Sequence, residues 1–109
     1  MEPVPTRASR MAHDGRKSLL LFEAIRLSEK IGYKNITGPV VAEAAGLSSH
    51  GLVNYYFGGI EALRSLVLEA AIEHENLEIL LQALVVKDPV AWSAPVPLRQ
   101  AAYEKLRAE

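Results

Sequence analysis

The chain has 109 residues, half of them apolar, with 13 acidic residues against 12 basic ones and no cysteine. This length fits one domain with a packed core, and the apolar share excludes a chain that is disordered throughout. The lack of cysteine excludes disulfides and thiolate metal sites, and it fits a reducing, cytoplasmic location. No apolar run is long enough to span a bilayer, and the N-terminus lacks the apolar segment of a secretory signal. We therefore expect a cytoplasmic protein without a membrane partner.

The charge is unevenly distributed along the chain. Residues 1–59 carry seven Lys or Arg against five Asp or Glu, whereas residues 60–109 carry five against eight. A mildly basic first half and an acidic second half suit a head that faces nucleic acid, followed by an interaction segment. The difference is small, and a distribution without functional meaning is the alternative.

Residues 1–12 contain two prolines and no apolar periodicity, which predicts a flexible N-terminal arm. Basic side chains occur in this arm and just after it: Arg7, Arg10, Arg16 and Lys17. They suit an arm that reaches DNA phosphates or a minor groove. An ordinary solvated terminus is the alternative.

The segment of residues 13–59 is predicted to form three helices. Asp14 can cap the first helix, whose apolar positions recur at helical spacing to Ile31, and Gly32 ends it. Thr37 is suited to cap the second helix, because its hydroxyl can accept a bond from a first-turn N–H. Pro39 is tolerated in that first turn, where its missing N–H is not needed.

The second helix is expected to end at Gly46 after about two turns. Ser48 or Ser49 can cap a third helix that runs to Tyr55 or Tyr56, before a break at Gly58 and Gly59. This region matches the spacing of a helix-turn-helix, in which the point where the helices cross must be small and the turn needs a left-handed residue. The matching positions are Val41, Ala42, Ala45, Gly46, Leu47, Leu52 and Tyr55. A helical hairpin that does not bind DNA is the alternative.

Residues 60–109 are predicted to be helical and to mediate dimerisation. An apolar stripe with 3-and-4 spacing runs from Ile60 to Leu84, which predicts one long helix; a break near residues 74–76 is the alternative. We expect a dimer interface at Leu77, Leu80, Leu81 and Leu84. Packing of this stripe within the chain's own core is the other interpretation.

The C-terminal region is predicted to restart the helical structure after a stop. Asp88 followed by proline indicates a stop and a new cap, the segment from Trp92 to Pro97 is too rich in proline for a helix, and a short amphipathic helix from Leu98 to Leu106 follows. Trp92 is expected to pack on the core, with a partner surface as the alternative. The predicted fold is all-α: a three-helix head, a long helix and a short C-terminal helical element.

In a helix-turn-helix, the third helix enters the major groove of DNA and its N-terminal residues lie nearest the base edges. Asn can pair with adenine through two bonds, His and Ser can bond bases or phosphates, and glycine permits a close backbone approach. Tyrosine hydroxyls can bond phosphate oxygens, as can N–H groups near Thr37. The predicted DNA-binding residues are Thr37, Ser48, Ser49, His50, Gly51, Asn54, Tyr55, Tyr56, Arg16 and Lys17.

Four segments together resemble the DNA-binding domain of the tetracycline-repressor (TetR) family: residues 31–37 (IGYKNIT), 41–48 (VAEAAGLS), 54–58 (NYYFG) and 61–63 (EAL). The resemblance covers roughly residues 16–70. It implies a homodimer that places one recognition helix of each subunit in a major-groove half of a palindromic operator, and thus a transcriptional repressor. It also implies that Thr37 contacts phosphate, that Ser48, Ser49 and His50 read bases, and that Tyr55 and Tyr56 touch backbone and bases.

The sequence departs from this family in three ways. The stretch from Gly46 to Phe57 is one residue longer than usual, so either Tyr56 or Phe57 can be the buried aromatic and the recognition register is open by one residue. Ile60 stands where the family commonly has a phosphate-binding lysine. Only 50 residues follow Gly59, where family members carry a long ligand-binding domain. We therefore expect a short or truncated member without a small-molecule inducer.

Other kinds of site are not predicted. His13, His50 and His74 lack acidic neighbours at ligand spacing, so we expect no metal. His74 lies on the apolar stripe and is expected to be packed in the core or at an interface. No nucleophile site or phosphate-binding glycine loop occurs, so we expect no enzymatic activity and no cofactor. The alternative function is a protein-interaction module that forms mixed dimers with another regulator.

Overall fold

The computed structural model describes residues 15–47 and 51–108. Within these ranges the chain is all-α, as predicted, with seven helices and no strand. The helices are α1 (Arg16–Ile31), α2 (Gly38–Ala44), α3 (Leu52–Phe57), α4 (Ile60–Glu73), α5 (Leu77–Val85), α6 (Pro89–Trp92) and α7 (Val96–Ala108). None of the helices in the described ranges has the length and apolar character needed to cross a membrane. The predicted arm of residues 1–12 and the predicted cap Asp14 lie outside the described residues.

The two predicted segments share one hydrophobic core. Its buried members come from both, with Leu20, Val41 and Val53 in the first segment and Leu63, Leu80 and Ala102 in the second. Because burial of apolar surface is the main favourable term in folding, the position of the first three helices depends on the packing of the last four.

The predicted long helix is wrong, and its alternative, a break near residues 74–76, is confirmed. Helix α4 ends at Glu73, and Glu75 adopts a left-handed backbone with φ of 56°. The Asn76 side chain then caps α5 by accepting a bond from the Ile79 N–H at 3.2 Å. The same side chain donates to the Glu29 carboxylate at 2.6 Å. His74 is exposed at this break, so its predicted packing is also wrong.

The break brings α5 back against the core, and this corrects the predicted dimer interface. Leu80 and Leu84 are 0% and 1% exposed and pack among the chain's own buried residues. Neither side chain is available to a second copy, and for them the interpretation as core packing is the correct one. Leu77 and Leu81 are half-buried and pack against the same core.

The C-terminal region follows the prediction at Asp88 and departs from it at the tryptophan. The Asp88 carboxylate accepts a bond from the Val90 N–H at 2.9 Å and so caps α6, which already includes Trp92. Helix α7 begins at Val96, earlier than predicted, because Pro97 lies in its first turn, where no N–H is required. Trp92 is 44% exposed, with the Arg99 guanidinium 5.2 Å from its ring centroid, so its predicted packing in the core is wrong.

Hydrogen bonds join the end of α1 to α5 and α6. The Gln82 side chain accepts a bond from the Tyr33 N–H and donates one to the Ser28 carbonyl, both at 2.9 Å. The Tyr33 hydroxyl donates to the Asp88 carboxylate at 2.8 Å. Burial, together with this bond and the negative charge of Asp88, raises the pKa of Tyr33 well above its ordinary value. These four residues, the Ser28–Tyr33–Gln82–Asp88 network, connect segments far apart in sequence.

Replacing Tyr33 tests this network. Tyr33→Phe removes the bond to a half-buried, charge-bearing acceptor and should lower the free energy of unfolding by about 1–2 kcal/mol at neutral pH, measured by urea denaturation. The folded state holds the tyrosine proton more tightly, so this contribution is complete below about pH 10 and is lost as the pH rises through the raised pKa. The difference between wild type and variant should therefore shrink above about pH 10. Tyr103→Phe, at an exposed position, is the control. An equal loss in both variants would contradict the assignment.

Candidate nucleic-acid interface

Helix α2 ends in a tight turn at Gly46. Thr37 caps α2 by accepting a bond from the Val40 N–H at 3.3 Å, with Pro39 in the first turn, as predicted. At the other end, the Leu47 N–H donates to the Ala42 carbonyl at 2.9 Å and Gly46 has φ of 75°. This six-to-one bond with a left-handed glycine is the Schellman type of helix end. The prediction that Gly46 supplies the left-handed residue of this turn is thereby confirmed.

The buried sides of these short helices are apolar and small. Val41 and Ala42 of α2 are fully buried, as is Val53 of α3. Helix α2 packs against α1 and α3, and α3 packs against α4. A residue as small as Ala42 permits close approach of two backbones, which is why the sequence pattern requires a small side chain there.

The opposite side of α3 faces solvent. Gly51, Asn54 and Tyr55 are exposed, and their spacing of three and four residues places them on one face of the helix. Tyr55 is 78% exposed, and its ring meets that of Tyr56 edge to face, with centroids 5.0 Å apart. Ser48, Ser49 and His50, which complete the predicted base-reading set, lie outside the described residues.

The two candidates for the buried aromatic share that role. Tyr56 and Phe57 are both half-buried and both pack against the core. With the extra residue between Gly46 and Phe57, both aromatic side chains therefore contact the core, and neither takes the place of the other.

One of the two basic side chains at the start of α1 lies beside this surface. Arg16 and Lys17 are exposed, and the Lys17 ammonium is 5.7 Å from the ring centroid of Phe57 at the end of α3. The structure thus brings Lys17 together with the third helix, whereas Arg16 has no described contact with it. Arg7 and Arg10 lie outside the described residues.

The residue at the start of α4 faces the core, whereas a phosphate-binding lysine at this position would be exposed. Ile60 is half-buried and packs against the core. One turn later, Arg64 bonds the Ile36 carbonyl at 2.9 Å and pairs with Glu61. Sequence reasoning missed Arg64. The three-residue spacing from Glu61 is a local signal for the ion pair, but no local signal reports the bond to Ile36.

Outside this surface, the described residues form a groove and no metal centre. Within the described residues, no group of three or more His, Asp or Glu side chains could hold a metal ion. An open groove of about 320 Å³ lies between the end of α4 and the start of α7. It is lined by Ile72, Glu75, Pro95, Pro97, Leu98 and Ala101 and includes no residue of α1, α2 or α3.

Comparison with known proteins adds no relative. A scan against protein-family models, a search of curated proteins and a search of solved structures each returned no match. The family resemblance described above therefore rests on the quoted motifs.

Two glycines of this region give a matched test. None of the described residues comes within 4 Å of a Cβ added at either position, but only Gly46 has positive φ, while Gly51 has φ of −86°. Gly46→Ala should lower the free energy of unfolding by about 1–2 kcal/mol, since only backbone strain is introduced. Gly51→Ala should leave stability within roughly 0.5 kcal/mol of wild type or raise it slightly. Urea denaturation measures both, and a cost at Gly51 equal to that at Gly46 would contradict the turn assignment.

Proposed function

We propose that this protein is a sequence-specific DNA-binding transcriptional regulator that acts as a dimeric repressor. In this proposal the turn at Gly46 makes α2 and α3 a helix-turn-helix, and the third helix enters the major groove of a palindromic operator. One observation carries the proposal: α3 buries Val53 and presents Asn54 and Tyr55 to solvent. A short helix held on the core with a polar and aromatic face outward is suited to reading base edges.

The chemistry of the exposed face fits base and backbone contacts. The Asn54 amide can bond adenine through both of its polar atoms. The Tyr55 hydroxyl can bond a phosphate oxygen, and so can the Thr37 hydroxyl, which still has its proton to donate. None of the described residues occupies the space within 4 Å of a Cβ added at position 51, so they give no steric reason for a glycine there. In the proposed complex that space accommodates the duplex.

The cations for phosphate are few and are concentrated at the N-terminal end of the chain. Arg16 and Lys17 flank the third helix in this proposal, and Ile60 removes one cation that the family commonly supplies. Each phosphate neutralised by Lys or Arg releases counterions and steepens the salt dependence of binding. We therefore expect a clear but moderate salt dependence.

The proposed homodimer requires an interface that Leu80 and Leu84 do not provide. Val96, Tyr103 and Leu106 are exposed on α7, and their spacing of seven and three residues places them on one side of that helix. This side is the apolar surface that we assign to the second copy. A dimer would place one third helix on each half of the operator, and occupancy of the operator would block RNA polymerase sterically.

A protein-interaction module that forms mixed dimers with another regulator is the second candidate. The same exposed apolar side of α7 favours it, together with the near-neutral net charge of −1. Both candidates use α7 for association, and they differ in whether DNA is bound.

Binding to DNA upstream of the gene separates the two candidates. Under the proposed function, the protein shifts a fragment carrying a palindrome, and the affinity falls with salt between 50 and 200 mM, on the order of tenfold for each two phosphates neutralised. A scrambled palindrome serves as the control. Absence of any shift, together with a mixed complex with a second regulator, would instead establish the interaction module.

Substitution of the exposed polar side chains tests the placement of the third helix. Asn54→Ala or His50→Ala should relax discrimination at one position of each half-site by about 1–3 kcal/mol, measured by competition with base-substituted operators. Glu69→Ala, at an exposed position on α4, is the control and should leave the discrimination unchanged. Unaltered discrimination in both test variants would refute the proposed register of the recognition helix.

A further inference from the structure

Arg64 is a basic side chain that is mostly buried and is held by two other residues of the chain. It projects from α4 with only 16% of its side chain exposed. One terminal nitrogen donates to the Ile36 carbonyl at 2.9 Å, and the other pairs with Glu61. Its Nε is buried and has no hydrogen-bond partner among the described residues.

This arrangement carries a cost that an apolar side chain would avoid. A buried N–H without a partner destabilises the folded state, and well-packed apolar residues often replace buried charges without loss of stability. Stability alone therefore gives a weak reason for an arginine here. A better reason is the group that its long-range bond holds, the Ile36 carbonyl, 28 residues away in sequence.

The bond holds the peptide group that leads into Thr37. The Ile36 side chain is fully buried, whereas Thr37 is exposed. Because the peptide group is planar, fixing the Ile36 carbonyl also fixes the direction of the Thr37 N–H and the position of its Cα. The Thr37 hydroxyl, which already accepts the bond from Val40, is thereby oriented relative to α4.

We propose that Arg64 is a positioning residue of the DNA-binding surface: through the Ile36 carbonyl, it orients the Thr37 hydroxyl toward a DNA phosphate. This inference rests on the proposed function. It assigns Arg64 no contact with DNA, because the guanidinium is occupied by protein partners. The neutral Thr37 hydroxyl makes the contact.

The structural half of the inference is testable without DNA. Arg64→Met should accelerate amide hydrogen exchange at Val40 and Val41, whose N–H groups bond Thr37. The Leu80 amide in α5 should exchange as in wild type. Arg64→Lys should restore part of the protection, because one ammonium can reach one carbonyl. Equal exchange at Val40 and Val41 in Arg64→Met and wild type would overturn the inference.

The functional half is tested by a double-mutant cycle on operator DNA. Arg64→Met and Thr37→Val should each weaken binding on the order of fivefold, as expected for one neutral hydrogen bond, and the double variant should also lose about fivefold. Combined with Asn54→Ala, the loss from Arg64→Met should multiply. A variant that merely folds less well would multiply with both partners. Multiplication with Thr37→Val would therefore overturn the inference.

The salt dependence separates positioning from direct contact. The slope of log affinity against log salt should be unchanged in Arg64→Met, because no phosphate loses a cation. A slope flatter by about 0.9 would show that Arg64 itself neutralises a phosphate and would overturn the inference. Arg26→Met is the control, since Arg26 has the same three-residue pairing with a glutamate but lies on α1. If wild type binds no DNA, the proposed function fails. The exchange experiment alone then reports whether Arg64 fixes the peptide group between Ile36 and Thr37.

Discussion

The position of α5 against the end of α1 depends on the hydrogen bonds of the Gln82 side-chain amide. At the end of α1 it accepts a bond from the Tyr33 N–H and donates one to the Ser28 carbonyl, which also accepts the Gly32 N–H. A glutamine in the middle of an apolar helix is tolerable because both of its polar atoms are used. Its bonds fix α5 against the end of α1, and the Tyr33–Asp88 bond does the same for α6.

This joint explains why the break at residues 74–76 matters. A continuous helix from Ile60 would project residues 77–84 away from α1, and Gln82 could not reach Ser28. The left-handed Glu75 and the Asn76 cap reverse the chain. Leu80 and Leu84 are then directed into the core that contains Leu20 and Val53. Most of the apolar stripe is buried within one chain, and the apolar side chains that remain exposed lie on several elements, among them Val96, Tyr103 and Leu106 of α7.

The sequence sufficed for features that depend on a few neighbouring residues. The Thr37 cap, the turn at Gly46 and the Asp88 cap each follow from local backbone chemistry, and the structure has all three. Periodicity also identified which side of residues 77–84 is apolar. It could not say whether a second copy or the chain itself covers that side, because both give the same pattern.

Features that depend on distant residues were beyond sequence reasoning. The partners of Gln82 and the Ile36 carbonyl that Arg64 bonds lie tens of residues away, and no spacing rule connects them. Trp92 illustrates the same difficulty. A large apolar ring between prolines is expected to be buried, yet Arg99, seven residues later, stacks on it at the surface. Seven residues span two helical turns, but α6 ends between them, so helical spacing alone does not pair the two.

The start of α4 limits the positive charge that the proposed DNA-binding surface can offer. Ile60 packs inward, Glu61 is exposed and acidic, and Arg64 is occupied by the Ile36 carbonyl. The first two turns of this helix therefore offer no cation to phosphate. Under the proposed function, Arg16 and Lys17 carry the electrostatic part of binding, which attracts any DNA equally. A surface with few cations and several oriented neutral groups has a low affinity for DNA of arbitrary sequence. Its discrimination between an operator and other DNA then rests on how rigidly those groups are held.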